Sequence, residues 1–503
     1  MITPKNTSEN QAYTELEAVF LRYYYLESIR RHLHWDRDTY MPVAGYQLRA
    51  QQLSVIETIQ VELLQKKQTA LWLDHAEANT VDLSPQQHIN LQSMRFIQRL
   101  KTAVPIPLQK KLRLAIAESE FAYAKAKQDD AFPHFIKPFS QLLRLLQEKA
   151  QHLGAAFAMS PYDGLLQEFD PGNKQANFAG KFEYLQGVLP QLMQDIVAKQ
   201  ADTPDAPHKL SLPVAQQKRL CREILLDLGF DFNHGRLDSS AHPFTEGNKY
   251  DVRLTSHFRR DDLMFGILAM MHEAGHALYD AHLPATWHEQ PLGYDMGMLV
   301  HEAMALFYEN CLTRSPGFIS YFVAKLREYG VDASATDLHT ALLWVKPGVI
   351  RIEADEVTYL LHIMLRHQLE CQLLADELKP EELPAAWAEH HQRLLHCQPL
   401  NDRDGCLQDP HWAVGSFGYF PSYGQGAIVS SNLYARQFSA CLSKVTCLDR
   451  EALQEILAHL NTLIFSRGAS QTISELLVTS DDDLLSAENY LDYLSAKYLG
   501  CAK

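Results

Sequence analysis

Apolar residues recur at helical spacing through most of this chain, and no other feature limits its fold as much. In TELEAVFLRYYYLESIRRHL (14–33) they stand at Leu16, Val19, Phe20, Tyr23, Tyr24 and Leu26, one side of a helix with 3.6 residues per turn. Similar patterns run through 107–127, 139–158, 216–228, 322–328, 356–376 and 451–465. Strand signals are few. The best is KYDVRLTSHF (249–258), where Val252 and Leu254 alternate with charged residues. VIRI (349–352) is weaker and can equally open a helix. ADTPDAPHKLSLP (201–213) reads as a polar, Pro-rich loop, and GSFGYFPSYGQGAI (415–428), rich in Gly and aromatics, as a shaped loop rather than regular helix. No repeat, low-complexity tract or clear boundary divides the chain, so residues 1–503 read as one large helical unit.

Charge narrows the function. Lys and Arg number 46 against 61 Asp and Glu, a net charge of −15. A general nucleic-acid binder needs a basic surface to displace counterions from phosphates, so no nucleic-acid partner is expected. No membrane partner is expected either: the longest markedly apolar run, LMFGILAMM (263–271), is too short to span a bilayer. The opening residues, MITPKNTSENQAYTELEAVF, lack a charged stretch followed by an apolar core, so no signal peptide is read. Eight cysteines lie scattered without a CxxC pair. That is no disulfide framework, and it points to a reducing, cytoplasmic setting.

One segment carries chemistry. HEAGH (272–276) places His272 and His276 four residues apart, hence on one helix face, where both imidazoles can reach a single metal ion. Glu273 lies about 100° further round the helix, where it can reach the metal's water without binding the metal. With 23 histidines in the chain, about 0.06 such motifs are expected by chance, so the motif alone is suggestive only. The bland alternative is a buried helix whose histidines are satisfied by hydrogen bonds. Gly275 costs about 1 kcal/mol in a helix interior, which a close approach to the backbone would explain. A zinc site needs a third protein ligand and an open position. Glu302, 26 residues beyond His276 on the next apolar helix, MLVHEAMALFYEN (298–310), completes a His2Glu set.

The surrounding motifs resemble the M32 family, the thermostable carboxypeptidases of the Taq type. They are His242-Pro243-Phe244; Asp251, Arg253 and Thr255; His272 to His276; Ile350, Arg351, Ala354 and Asp355; and Gly405, Gln408, Asp409, His411 and Trp412. WDRDTYMP (35–42) is similar as well. Two places depart. After His301-Glu302 the chain has Ala303-Met304, where the family has Ser or Gly followed by Gln. After Tyr423, GQGAIVSSNLYARQ is unlike the family's usual continuation.

The resemblance implies a mostly α, two-lobed protein with a deep substrate groove and a small β-sheet near a gluzincin-like HExxH zinc site. It implies a metallocarboxypeptidase of broad specificity, holding zinc and accepting cobalt, and assembled as a homodimer. Glu273 would be the general base. His411 and Tyr423 would donate to the oxyanion. Arg351 and Arg253 would hold the free C-terminal carboxylate of a peptide, each with a salt bridge to a nearby acid as the structural alternative, and His242 would help line that wall. Substrate backbone could add to the 251–255 strand. EHHQRLLH (389–396) reads as a solvated helix face, while Glu353 and Glu356 beside Arg351 stay undecided. Two rivals share these residues: a metal-dependent endo- or oligopeptidase, and a silent peptide-binding homologue, which the Ala303-Met304 departure alone favours.

Overall fold

The computed structural model describes residues 11–201, 210–442, 445–478 and 483–500; most of the Pro-rich loop read at 201–213 lies outside them. The first helix runs Gln11–Thr39 and is followed by Tyr46–Gln65, Lys67–Ala78 and Pro85–Ala103. The periodic residues of the first helix do what their spacing dictates: Leu16, Phe20 and Tyr23 are buried, in a small core with Leu64, Leu73, Leu91 and Met94. Ser84 starts the last of these helices, its hydroxyl accepting from Gln87 N while the Gln87 side chain returns to Ser84 N, so two orphan amides are satisfied at once. Helices Ile106–Asp129 and Pro133–Phe157 open a larger core that continues to Tyr498.

The sheet has three strands, β1 (Gly235–Ser239), β2 (Thr245–Asn248) and β3 (Asp251–Ser256), in the order β1-β3-β2. β1 pairs parallel to β3 and β2 antiparallel to it. Only β3 had the alternating pattern. Its Val252 and Leu254 are fully buried, whereas RLDS and TEGN bury little and carry no such signal. Because β3 is central, residues 251–255 cannot accept a peptide strand as expected; the free edges belong to β1 and β2. VIRI is no strand either: Arg351–Glu353 forms a single 3-10 turn ahead of a helix.

Three helices build the centre of the molecule. The histidine helix, Leu263–His282, begins where the Asp262 side chain accepts from Phe265 N. The glutamate helix, Met298–Leu306, runs on into a π-helical turn at Phe307–Leu312. The tyrosine helix, Phe420–Leu433, has a Pro in its first turn. This helix corrects the reading of 415–428 as a loop. Only its start is a turn, with Gly415 and Gly418 at φ 69° and 92°, conformations that suit glycine. Gly424 and Gly426 serve packing instead. A Cβ on Gly426 would lie 2.8 Å from the Glu302 Cβ, and one on Gly424 would lie 2.5 Å from the Phe182 ring.

Gly275 answers the question its cost raised. A Cβ there would lie 2.5 Å from both Ala305 Cα and the Met304 carbonyl oxygen. The glutamate helix therefore touches the histidine helix on one side and the tyrosine helix on the other at backbone distance, each time across a glycine. Ala303 and Met304 are fully buried in that packing.

Helix Leu383–Leu395 corrects the EHHQRLLH reading. Within it His391 is fully buried beside Trp387 and His362. Burial pushes its imidazole down to about 3, below the usual range, helped by the nearby Arg366 charge. The helix is amphipathic, and His391 belongs to its apolar side.

Candidate metal and catalytic site

His272, His276 and Glu302 bring one ligand atom each within 4.8 Å of one another, the one such group of His, Cys, Asp and Glu side chains among the described residues. Each is held through one atom by a separate neighbour, which leaves the other atom for a metal. His272 Nδ1 lies 2.8 Å from Glu309 Oε2, leaving Nε2. His276 Nδ1 lies 3.3 Å from His301 Nδ1, and His301 Nε2 faces Asp280 at 3.5 Å and Asp295 at 3.8 Å. Glu302 Oε1 accepts a 2.9 Å hydrogen bond from the Tyr419 hydroxyl. Its other oxygen, Oε2, is buried without a hydrogen-bond partner and lies 3.8 Å from His272 Nε2.

A buried carboxylate oxygen without a donor costs free energy unless something positive meets it. Two imidazole nitrogens and a carboxylate oxygen are the donors zinc takes in catalytic sites. The residues thus fit a divalent metal, and the bland reading of two hydrogen-bonded histidines leaves Glu302 Oε2 unexplained. Glu309 also makes the environment of His272 strongly anionic. Burial lowers the His272 pKa, but the Glu309 hydrogen bond and charge outweigh it and hold the imidazole up at about 9.

Glu273 sits beside this group, 5% exposed. Burial raises its carboxyl to about 7, against the opposing pull of the His272 charge and of the Thr245 hydroxyl, which donates to Oε2 at 2.7 Å. Thr245 lies on β2, so the sheet orients the carboxylate.

A network around Asp409, which is 2% exposed, lies near Glu302, whose carboxyl feels the Arg351 charge. Asp409 Oδ1 is hydrogen-bonded to His411 Nδ1, and its Oδ2 accepts from Arg351 Nε at 3.0 Å and Arg366 Nε at 2.5 Å. Burial alone would raise the Asp409 carboxyl; Arg351, His411 and Arg366 hold it well below the usual carboxylate range. Arg351 packs over the Tyr423 ring, 5.3 Å from its centroid. His411, Tyr419 and Tyr423 form one aromatic group, with His411 stacked on Tyr419 at 5.9 Å and Tyr423 edge-on to Tyr419 at 4.6 Å. Burial raises the Tyr423 hydroxyl far above neutral pH, so it stays a donor.

Of the residues named from sequence, Glu273, His411, Tyr423 and Arg351 gather with or beside the three candidate ligands. Arg351 does pair with an acid, but with Asp409 rather than Asp251 or Asp355. Arg253 forms a two-bond fork with Asp251, both at 2.7 Å, above the Trp35 ring. His242 is exposed on the β1–β2 connection; its neighbour Phe244 is tied to β3 by hydrogen bonds with Thr255. Glu356 is buried against Tyr493, Lys497 and Tyr498 and holds the C-terminal helix. Sequence reasoning missed Glu309, Tyr419, Thr245, Arg366 and the structural hold of Asp409. One signal was available for Glu309: it follows Glu302 by seven residues, two helical turns on the same face.

Helical packing around two imidazoles and a carboxylate, with a buried carboxyl beside them, is the arrangement of a metal-dependent enzyme. The comparisons carry this further. Residues 15–498 match the family model described as Carboxypeptidase Taq (M32) metallopeptidase. Thermostable carboxypeptidase 1 of Thermus thermophilus is 33% identical, over 94% of this chain and 96% of that protein. Carboxypeptidase 1 of Bacillus subtilis is 30% identical, over 93% and 94%. The solved structure of Trypanosoma cruzi metallocarboxypeptidase 1 superposes with a TM-score of 0.92 at 30% identity, covering 97% of this chain and 99% of that one. The chain belongs to the M32 family and is a metallocarboxypeptidase.

Proposed function

We propose that this chain is a zinc-dependent carboxypeptidase of broad specificity, releasing single residues from peptides with a free C-terminus, with Glu273 as the general base. The observation that carries this reading is the orphaned Glu302 Oε2, 3.8 Å from His272 Nε2, with the Glu273 carboxyl and the Arg351–Asp409–His411 network close by. His272, His276 and Glu302 would hold the metal. When bound, it would polarise the scissile carbonyl and lower the pKa of water towards ~7.

The chain's own residues do the rest. Glu273, fixed by Thr245, takes a proton from the attacking water and passes it to the leaving amine. Asp409 holds His411 by Nδ1, which leaves Nε2 to face the substrate. His411 and the protonated Tyr423 then donate to the developing oxyanion. Arg351 uses Nε on Asp409, and its remaining nitrogens suit a bidentate grip on a terminal carboxylate. Arg253, already forked onto Asp251, is the lesser candidate for that grip, and His242 lines the same wall. The seven described cysteines are free thiols, which supports a cytoplasmic setting. A homodimer and acceptance of cobalt are further parts of this reading.

The test is a mass-spectrometric time course on one peptide and its C-terminally amidated twin, with and without chelator, then with zinc or cobalt restored. Stepwise loss of single residues from the free peptide alone, stopped by chelator and restored by metal, is the expected result. Internal cuts in both peptides would indicate an endo- or oligopeptidase instead. No cleavage under any metal would indicate a silent binding protein.

A further inference from the structure

Tyr419 lies in the stretch read from sequence as a shaped loop and was given no role there, yet its hydroxyl is the one side-chain donor on Glu302 among the described residues. The bond is built rather than incidental. Gly418, in a left-handed conformation at φ 92°, turns the chain just before Tyr419, and its amide is anchored on Glu370 Oε2 at 3.2 Å. The Tyr419 ring is then held on three sides: stacked on His411, edge-on to Tyr423, and edge-on to Phe169 at 5.0 Å. Glu302 is 2% exposed, so water does not compete for its oxygens. A carboxylate can meet a metal through one oxygen or both, and the two modes differ in coordination number. In this structure one oxygen is taken and the other is bare.

We propose that Tyr419 is a positioning residue: by occupying Oε1 it fixes Glu302 as a one-oxygen ligand through Oε2 and so keeps a coordination position open. This rests on the reading of His272, His276 and Glu302 as metal ligands. Groups that orient ligands in this way are worth about 10- to 100-fold in metal affinity. Tyr423 is close by but does not carry this role.

The experiment uses Tyr419→Phe, which removes one hydroxyl and keeps the packed ring. Metal-free protein is titrated with zinc against a competing chelator, and the visible spectrum of the cobalt-loaded protein is recorded. Three readouts should go together: a zinc Kd weakened about 10- to 100-fold, a cobalt band weakened as coordination number rises, and a metal-free Tm like that of the parent. At saturating zinc kcat should stay below the parent's, because occupancy is restored while the position that Tyr419 keeps open is not. Tyr423→Phe should leave zinc Kd and cobalt band unchanged. The proposal fails if Tyr419→Phe binds zinc like the parent with an unaltered cobalt spectrum; a lowered kcat in that case would make Tyr419 an oxyanion donor instead. A metal-free Tm well below the parent's would also overturn it, because the hydroxyl would then be holding the fold. His272→Ala, run in parallel, separates the two layers: if it binds zinc like the parent, the ligand assignment itself is wrong.

Discussion

Glu273 and Asp409 are both buried carboxyls, and their surroundings push them in opposite directions. Glu273 has one hydroxyl and a nearby imidazole, so burial wins and the group is poised to take a proton. Replacing it with Gln keeps the shape and removes the base. Turnover should fall by about 10²- to 10⁴-fold or more with zinc content unchanged, as read by single-turnover kinetics and metal analysis; parent-like turnover would remove Glu273 from the mechanism. Asp409 has two arginines and a histidine, so attraction wins. A depressed carboxyl contributes stability that is present above its unfolded value, near ~3.9, and is lost as pH falls through the folded value. Asp409→Asn should therefore cost about 3–5 kcal/mol at pH 7, because it leaves buried guanidinium groups short of their counter-charge. In denaturant titrations the gap to the parent should narrow as pH drops below ~4; a gap independent of pH would show that the charge is not what stabilises. At this scale the local part of the site was legible. His272, Glu273 and His276 are neighbours on one helix, and periodicity exposes them. Tyr419 on Glu302 and Thr245 on Glu273 join positions far apart in sequence, and nothing in the local pattern of either residue announces the contact.

Glycines were the part of the elements least legible in sequence. In a window with Gly and aromatics, composition favours a loop. The structure splits that window, because a glycine can be needed for a backbone angle or for the absence of a side chain, and sequence alone does not separate the two needs. Gly415 and Gly418 meet the first; Gly424 and Gly426 meet the second. Replacing a helical Gly with Ala normally gains about 1 kcal/mol from propensity. Here the sign should reverse. Gly426→Ala and Gly275→Ala should each destabilise by about 1–3 kcal/mol, the usual range for overpacking, and should weaken zinc binding, since the added methyl pushes the glutamate helix off its neighbours. Calorimetry with a zinc titration checks both; a stabilised variant with parent-like zinc affinity would refute the close-contact account. The strands β1 and β2 were missed for a related reason. They are four or five residues long and bury little, so the alternation that exposed β3 is missing from them.

For the molecule as a whole, helix content and family were readable from one chain, because the periodicity is strong and the motifs keep their order. The cores were not readable, since which helix faces which is set by contacts of long sequence separation. The C-terminal helix, Ala487–Leu499, illustrates this: Tyr493, Lys497 and Tyr498 close on Glu356 more than 130 residues earlier. A ligand that binds only the folded chain adds stability as RT ln(1 + [L]/Kd), about 2.7 kcal/mol at 100 times Kd. With zinc as the proposed metal, a chelator should therefore lower Tm, and adding zinc back should raise Tm in proportion to the logarithm of free zinc. An unchanged Tm would mean that zinc is not held by the folded site. The glycine contacts on either side of the glutamate helix have a kinetic side too. A ligand carried on a loop can swing away and let its ion leave while the fold stays intact. Glu302 sits on a segment wedged between two others with no slack, so it lacks that hinge. Exchange of an ion held as proposed would then wait for Nε2 of a histidine to turn aside or for the whole centre to open. The residence time of such an ion would be a clock for the opening of the core rather than for the motion of one side chain.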